Sequence, residues 1–276
     1  MKYKIGEVSR LPGISSEGLR LYERNGVISS EKDSDNGYRY YRHLDISALI
    51  RSRTYRNYGF SMKETAQLLN MADLEQVEQM YRKREEELGQ EISLLEQKLR
   101  YLRQMEDLIA GAEKNLNQCV TEESPGMYRF EFMDQHRIIL DDQGKDRFSR
   151  WVEMVPFSFL SMRCPLKSLL KQENHIVSAL GIMEEYASFL DIGVSEYITY
   201  YPPRMSIYTI VKEDRDRFDS VSCFNHVLRY AREQGLKPCG DSIARTFVSL
   251  NRKDNYVRYR QVWLPVTSAH APQTTS

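Results

Sequence analysis

The chain has 276 residues, 41% hydrophobic and 28% charged, with 39 basic against 39 acidic side chains. At about 100–200 residues per domain, this length provides for two domains with sizeable cores. No apolar run reaches the ~18 residues of a transmembrane helix, and Met1-Lys2-Tyr3-Lys4-Ile5-Gly6-Glu7 lacks the apolar stretch of a signal peptide, so a cytoplasmic protein without a membrane partner is expected.

Residues 1–70 hold 12 Lys/Arg and 8 Asp/Glu. Within them, Ile5, Val8 and Leu11 fall on one face of a short helix that Pro12-Gly13 breaks. Ser15 or Ser16 caps a second helix ending at Asn25-Gly26, with Ile14, Leu19 and Leu21 facing inward. Two short helices across a tight turn make a helix-turn-helix. Asn36-Gly37 ahead of Tyr38-Arg39-Tyr40-Tyr41 predicts a two-residue β-hairpin with an aromatic, basic returning strand. Residues 44–58 read as a helix, and Ser61-Met62-Lys63-Glu64 is a capping box opening the next.

Residues 71–124 reverse the charge, with 7 Lys/Arg against 13 Asp/Glu. From Leu74 to Leu116 the residues Leu88, Ile92, Leu95, Leu99, Leu102 and Ile109 recur at steps of four and three, interrupted at Glu106. That is a heptad seam on a helix of about 40 residues, ~60 Å long. A single helix cannot bury such a seam, and a second copy in a homodimer is the simplest partner. The polar stretch Thr121-Glu122-Glu123-Ser124-Pro125-Gly126 reads as a linker.

Beyond it, Met127–Met133, Arg137–Leu140, Ile198–Tyr201 and Ser206–Val211 read as strands. Residues 216–234 read as an amphipathic helix stopped at Gly235, and Ile243–Leu250 and Tyr256–Val266 as further strands. An α+β domain with an antiparallel sheet is expected, ending in a loose polar tail. Cys119, Cys164, Cys223 and Cys239 form no CxxC and no cluster with histidine, so neither a metal, a cofactor nor a disulfide framework is expected.

Four blocks in the first 42 residues, Ile5-Gly6-Glu7-Val8-Ser9, Leu19-Arg20-Leu21-Tyr22-Glu23, Gly26-Val27-Ile28 and Gly37-Tyr38-Arg39-Tyr40-Tyr41, resemble in order and separation the IGEVA, LRYYE, GLI and GYRxY blocks of the MerR family. Gly59-Phe60-Ser61 matches that family's turn into a second wing. The second half resembles the GyrI-like effector-binding domain of multidrug-sensing members, through its topology and the closing Gln261-Val262-Trp263-Leu264-Pro265-Val266. The fold class implied is mixed: an all-α winged helix-turn-helix over 1–72, a dimerisation helix over 73–118 forming an antiparallel coiled coil, a linker over 119–126, a GyrI-like α+β domain over 127–267 and a tail over 268–276.

The resemblance implies a homodimer that distorts promoter DNA so that RNA polymerase engages it, in response to a small-molecule effector. A DNA-binding head holds phosphates first and discriminates through base contacts. Its candidates here are Ser15, Ser16, Glu17 and Arg20 on the second helix, with Tyr22, Tyr38, Arg39, Tyr40, Arg42 and Tyr58 around it. Some of the tyrosines are equally read as packing, and Arg51, Arg53 and Arg56 as a solvated face. An aromatic effector pocket is expected from Tyr200, Tyr208, Phe247 and Trp263, with Arg245. In the drug-binding branch a buried glutamate pairs with cations. Here Ala244 or Arg245 falls at that place, and Gln261 stands where the closing strand usually has Glu, so neutral or anionic ligands are favoured. Two rivals are a redox sensor through Cys119 and an enzyme hydrolysing its ligand. Five scattered histidines give no serine-histidine-acid arrangement, so no enzyme is expected.

Overall fold

The computed structural model describes residues 2–10, 13–34, 37–71, 73–214, 220–252 and 255–268. The chain forms two compact units, Met1–Glu96 and Gln97–Ser276.

The first unit runs β1 (Lys2–Lys4), α1 (Ile5–Arg10), α2 (Ser16–Arg24), β2 (Glu31–Lys32), β3 (Arg39–Arg42), α3 (His43–Asn57), α4 (Met62–Asn70) and the start of α5 (Leu74–Gly111). The antiparallel order β1-β3-β2 makes a small sheet. Ser15 caps α2 by accepting from the Gly18 amide at 3.0 Å. Gly26, at φ +74°, takes the chain out of the helix in a left-handed conformation that costs glycine little. At α4 the capping box is reciprocal: Ser61 Oγ accepts from the Glu64 amide, and Glu64 Oε2 from the Ser61 amide. The core gathers Val8, Leu19, Val27, Ile28, Tyr41 and Leu49, all buried.

Several expectations need correction. Leu21 is exposed, because Leu19 takes the inward position and a residue two further on turns away from it. The loop between paired Lys32 and Arg39 spans six residues and is closed by Asp33 N–H donating to the Tyr38 carbonyl, so it is not a two-residue turn. Asn36, like Leu11, Pro12 and Phe218, lies outside the described residues.

In the second unit the polar stretch expected as a linker is partly β4 (Val120–Glu123), which pairs with residues 205–208. Then come β5 (Met127–Asp134), β6 (Arg137–Ile138), α6 (Asp142–Glu153), β7 (Ser158–Cys164), α7 (Leu166–Lys171), β8 (Val177–Met183), α8 (Glu184–Ala187), β9 (Ile198–Tyr201), β10 (Met205–Asp214), a 3-10 turn (Val221–Phe224), α9 (Asn225–Glu233), β11 (Leu236–Pro238), β12 (Ser242–Arg252) and β13 (Asn255–Ser268). The expected helix over 216–234 is thus split into a 3-10 turn and α9, and the closing strand runs on to Ser268, into the expected tail. Residues 269–276 lie outside the described residues.

The main sheet has the order β4-β10-β13-β12-β7-β8-β5-β6, with β9 beside β5 and β11 beside β13. Its named strand pairs are antiparallel. Two copies of one pattern are visible in it: strand, helix, strand, strand as β5-α6-β7-β8, and again as β10-α9-β12-β13. The copies meet where β7 pairs β12, from Ser242 opposite Cys164 to Arg245 opposite Ser161. One face of the sheet is largely apolar: Ile207, Val211, Val262, Leu264, Ala244 and Met162 pack with Val227, Leu228 and Ala231 of α9, and the same face encloses the buried ion pair of Arg260 and Glu213 at 2.7 Å. On α6, Trp151 lies edge-on to Phe130 at 5.5 Å. The opposite face carries Arg129, Glu131, Arg163, Arg245 and Gln261, whose register sets them together.

Leu49 fills the first unit's core from all sides, so Leu49→Ala should destabilise that unit by about 2–5 kcal/mol. Ser61→Ala removes one cap bond and should cost only about 1 kcal/mol. Urea unfolding followed by circular dichroism reads both, and equal losses would contradict this core assignment.

Candidate functional site

Helix α2 has two unlike sides. Leu19 is buried, whereas Ser16, Glu17 and Arg20 are exposed. Arg20 has no acid partner among the described residues, so its guanidinium is open to an incoming acceptor. The Ser15 hydroxyl is engaged at the helix start as the cap.

The strand β3 is tied down more firmly than its sequence suggests. Arg39 Nε lies 3.6 Å from Glu23 Oε2, at the end of α2. Arg42 pairs with Glu31, which also holds Lys2 at 3.0 Å. The Arg42–Glu31 pair is exposed, and such pairs are worth only about 0–1 kcal/mol, so Arg42 is able to exchange partners; Arg39 is itself exposed, although its partner Glu23 is mostly buried. Tyr38 is exposed and Tyr40 and Tyr22 half-buried, with Tyr22 packed on the core. Tyr41 is fully buried, and burial together with the Glu23 carboxylate raises its hydroxyl to about 12. Tyr58 ends α3, half exposed, its ring 6.0 Å from Tyr81. Glu23 is the residue that the sequence reading missed: it organises Arg39 and Tyr41 from one position. Of the three arginines on α3, Arg53 donates to the Gly13 carbonyl and Arg56 to that of Phe60.

Along α5 the seam residues Ile92, Leu95, Leu99, Leu102 and Ile109 are exposed, from 48% to 62%, and Leu88 is half-buried. Such a stripe of apolar side chains is unusual on a solvated helix face.

In the second unit a cleft of about 310 Å³ opens on the polar side of the sheet. Its apolar walls include Met127, Tyr200, Tyr201, Ile243, Trp263 and Pro265. Tyr200 and Trp263, expected in an effector pocket, are there. Tyr208, Arg245 and Phe247 do not line it. Tyr208 lies beside Trp263, ring centres 5.7 Å apart, and receives a hydrogen bond from Gln261 at 3.2 Å. Arg245 is buried, stacked on Phe159 at 4.6 Å, and donates through Nη2 to the Tyr101 hydroxyl at 2.9 Å. Phe247 follows a register shift in β12 and packs near Tyr259.

Beside the cleft lies a network of charges. Arg129 is fully buried and donates to Glu131, Ser161 and the Val177 carbonyl. Arg163 grips both oxygens of Glu131 at 2.7 and 3.0 Å and donates to Asp241 at 2.9 Å. Burial pushes the Glu131 carboxyl up, but Arg163 and Arg129 more than offset it and hold it below the usual range. Glu184, at the start of α8, accepts from the Tyr200 hydroxyl at 2.6 Å, a bond that raises the phenol to about 12. Cys119 is half-buried, and burial pushes its thiol up, opposite to the shift a redox-active thiolate needs. Among the described residues no three His, Cys, Asp or Glu side chains gather as a metal site, and no helix is long and apolar enough to cross a membrane.

The profile of the family described as MerR HTH family regulatory protein matches residues 3–72, the stretch that holds α1 to α4. The HTH-type transcriptional regulator CueR of Escherichia coli O157:H7 is 33% identical over 67 residues, covering 24% of this chain and 50% of that protein. CueR of Vibrio cholerae is 32% identical over 109 residues, 39% of this chain and 78% of that protein. The chain thus spans about half the length of the first curated relatives it matches. A chain from the cryo-EM structure of the EcmrR–DNA complex in EcmrR-RPo aligns over 96% of this chain and 100% of its own, at 16% identity and a TM-score of 0.37. With the helix-turn-helix blocks in place and a relative matched over most of its length, this chain belongs to the MerR family of helix-turn-helix regulatory proteins.

Proposed function

We propose that this chain binds promoter double-stranded DNA as a homodimer and distorts it to control transcription by RNA polymerase, in response to a small aromatic or lipophilic molecule. The observation that carries this reading is the open face of α2. In a helix-turn-helix the second helix reads the major groove from its N-terminal end. Here that end presents Ser16, Glu17 and the unpaired Arg20. The loop and strand around Tyr38, Arg39 and Arg42 serve as a wing on the phosphate backbone, where guanidinium groups bind phosphate oxygens strongly. DNA competes there with Glu31 for Arg42 and with Glu23 for Arg39.

Residues 1–72 act as the DNA-binding domain and 73–118 as the dimerisation element. Leu88, Ile92, Leu95, Leu99, Leu102 and Ile109 bury their apolar stripe against the same stripe of a second copy, running antiparallel. Residues 127–267 act as an effector-binding domain of the GyrI-like type. The repeated strand-helix-strand-strand pattern and the cleft on the sheet's polar side support that reading. An effector shifts the dimer between two states only through a difference in its affinity for them.

Arg20→Ala should weaken specific promoter binding by about 1–3 kcal/mol and relax discrimination at one base position. Arg39→Ala should weaken specific and non-specific binding alike and reduce the salt dependence. Gel-shift titration at several salt concentrations reads both, and wild-type behaviour of the pair would remove them from the interface.

Replacing Leu95 and Leu102 together with Asp places charges without partners in the seam, a cost of several kcal/mol. Sedimentation should then show a monomer, and operator binding should be lost. An intact dimer would refute the seam.

A further inference from the structure

Trp263 lines the cleft and is nearly fully buried, yet its indole Nε1–H has no hydrogen-bond partner. An indole N–H only donates, and a buried donor left unpaired is costly. Arg204 lines the cleft from its exposed side and has no acid partner among the described residues. The cleft is thus bordered by one buried donor without a partner, the Trp263 indole N–H, and by one exposed guanidinium.

Its acceptors are taken. Asp241, the acid in the cleft wall, accepts from Arg163 through Oδ2 and from the Leu166 amide through Oδ1, each at 2.9 Å. Glu131 is held by Arg129 and Arg163; Glu184, outside the cleft lining and exposed, accepts from the neutral Tyr200 hydroxyl. A cation inside the cleft would have to compete with Arg163 for Asp241, and a buried cation without a counter-charge is costly. Gln261, where an acid is usual in the resembling domain, is itself held between Tyr208 and Arg245 at 3.2 and 3.4 Å.

We propose that the cleft takes an aromatic carboxylate, its ring between the apolar side chains of Tyr201, Ile243 and Trp263 and its carboxylate on the Trp263 indole N–H and the Arg204 guanidinium. This rests on the reading of residues 127–267 as a ligand-binding domain and adds the charge of the ligand. The aromatic walls fit a flat ring, and a carboxylate brings the acceptors that these donors lack. Arg204, being exposed, pairs with the ligand without first leaving a buried partner.

The test uses the full chain in calorimetric titrations with three probes of one ring system: 2-naphthoate, 2-naphthylmethanol and 2-naphthylmethylammonium. The carboxylate should bind at least about tenfold tighter than the ammonium, a difference of ~1.4 kcal/mol. Arg204→Gln should bring the carboxylate close to the alcohol and leave the alcohol unchanged. Trp263→Phe keeps a ring in the wall and removes the donor, so it should weaken the carboxylate more than the alcohol. Circular dichroism checks that each variant is folded. Tightest binding by the ammonium would overturn the charge assignment while leaving the cleft as a ligand site. No binding by any of the three at millimolar concentration would instead overturn the reading of the domain as ligand-binding. Unchanged carboxylate affinity in both variants would remove Arg204 and Trp263 from the site.

Discussion

The chain of ion pairs from Arg129 through Glu131 and Arg163 to Asp241 governs the second unit. It crosses from β5 to β7 and on to the residue before β12, so it ties together the two copies of the repeated pattern. Taking such groups out of water is costly, and only mutual pairing with further hydrogen bonds makes it tolerable. Each member therefore needs the others in place. The polar side of the sheet is shaped by that need: Glu131 and Asp241 are spent on its arginines, and what is left without a partner beside the cleft, among the described residues, is a buried indole N–H and one exposed guanidinium. The other side is held mostly by area burial under α9 and α6, with one buried ion pair, Arg260–Glu213, enclosed in it.

In the first unit charge is arranged in the opposite way. Glu31 holds Arg42 by a pair in contact with water, which binds weakly and releases easily, and the exposed Arg39 lies 3.6 Å from the mostly buried Glu23. Arg20 has no acid partner among the described residues. The rigid parts beneath are the helix caps and the core around Leu19, Tyr41 and Leu49. The unit thus keeps its basic groups positioned but available, where the second unit locks them away.

The first unit was largely legible in the sequence because its signals are local. Ser15, Gly26 and the Ser61–Glu64 box mark helix ends by chemistry within four residues of each boundary. Leu21 misled because a short helix with few apolar residues does not say which of two leucines faces in. The long helix α5 was legible from the spacing of its leucines and isoleucines. In the second unit, β7 and β8 went unread. Val177–Met183 is buried along nearly its whole length, only Ser178 being half-buried, so it has no polar-apolar alternation to announce a strand. Arg245 was placed in the pocket on its charge, and only the tertiary contact with Tyr101 and Phe159 draws it elsewhere. The orphaned N–H of Trp263 is likewise a property of packing, which no pattern of residue types encodes.

The repeat in the sheet has a bearing on how this chain can change. Met127 and Tyr201 flank the first copy's strands, while Ile243 and Trp263 belong to the second. Each copy has its own helix, but the apolar layer beneath is shared: Met162 and Cys164 of the first copy pack in one cluster with α9 and with Ala244 and Val262 of the second. A substitution in that layer is therefore felt by both copies at once. The two walls of the cleft are coupled through the layer under them, and neither can be reshaped from below without the other.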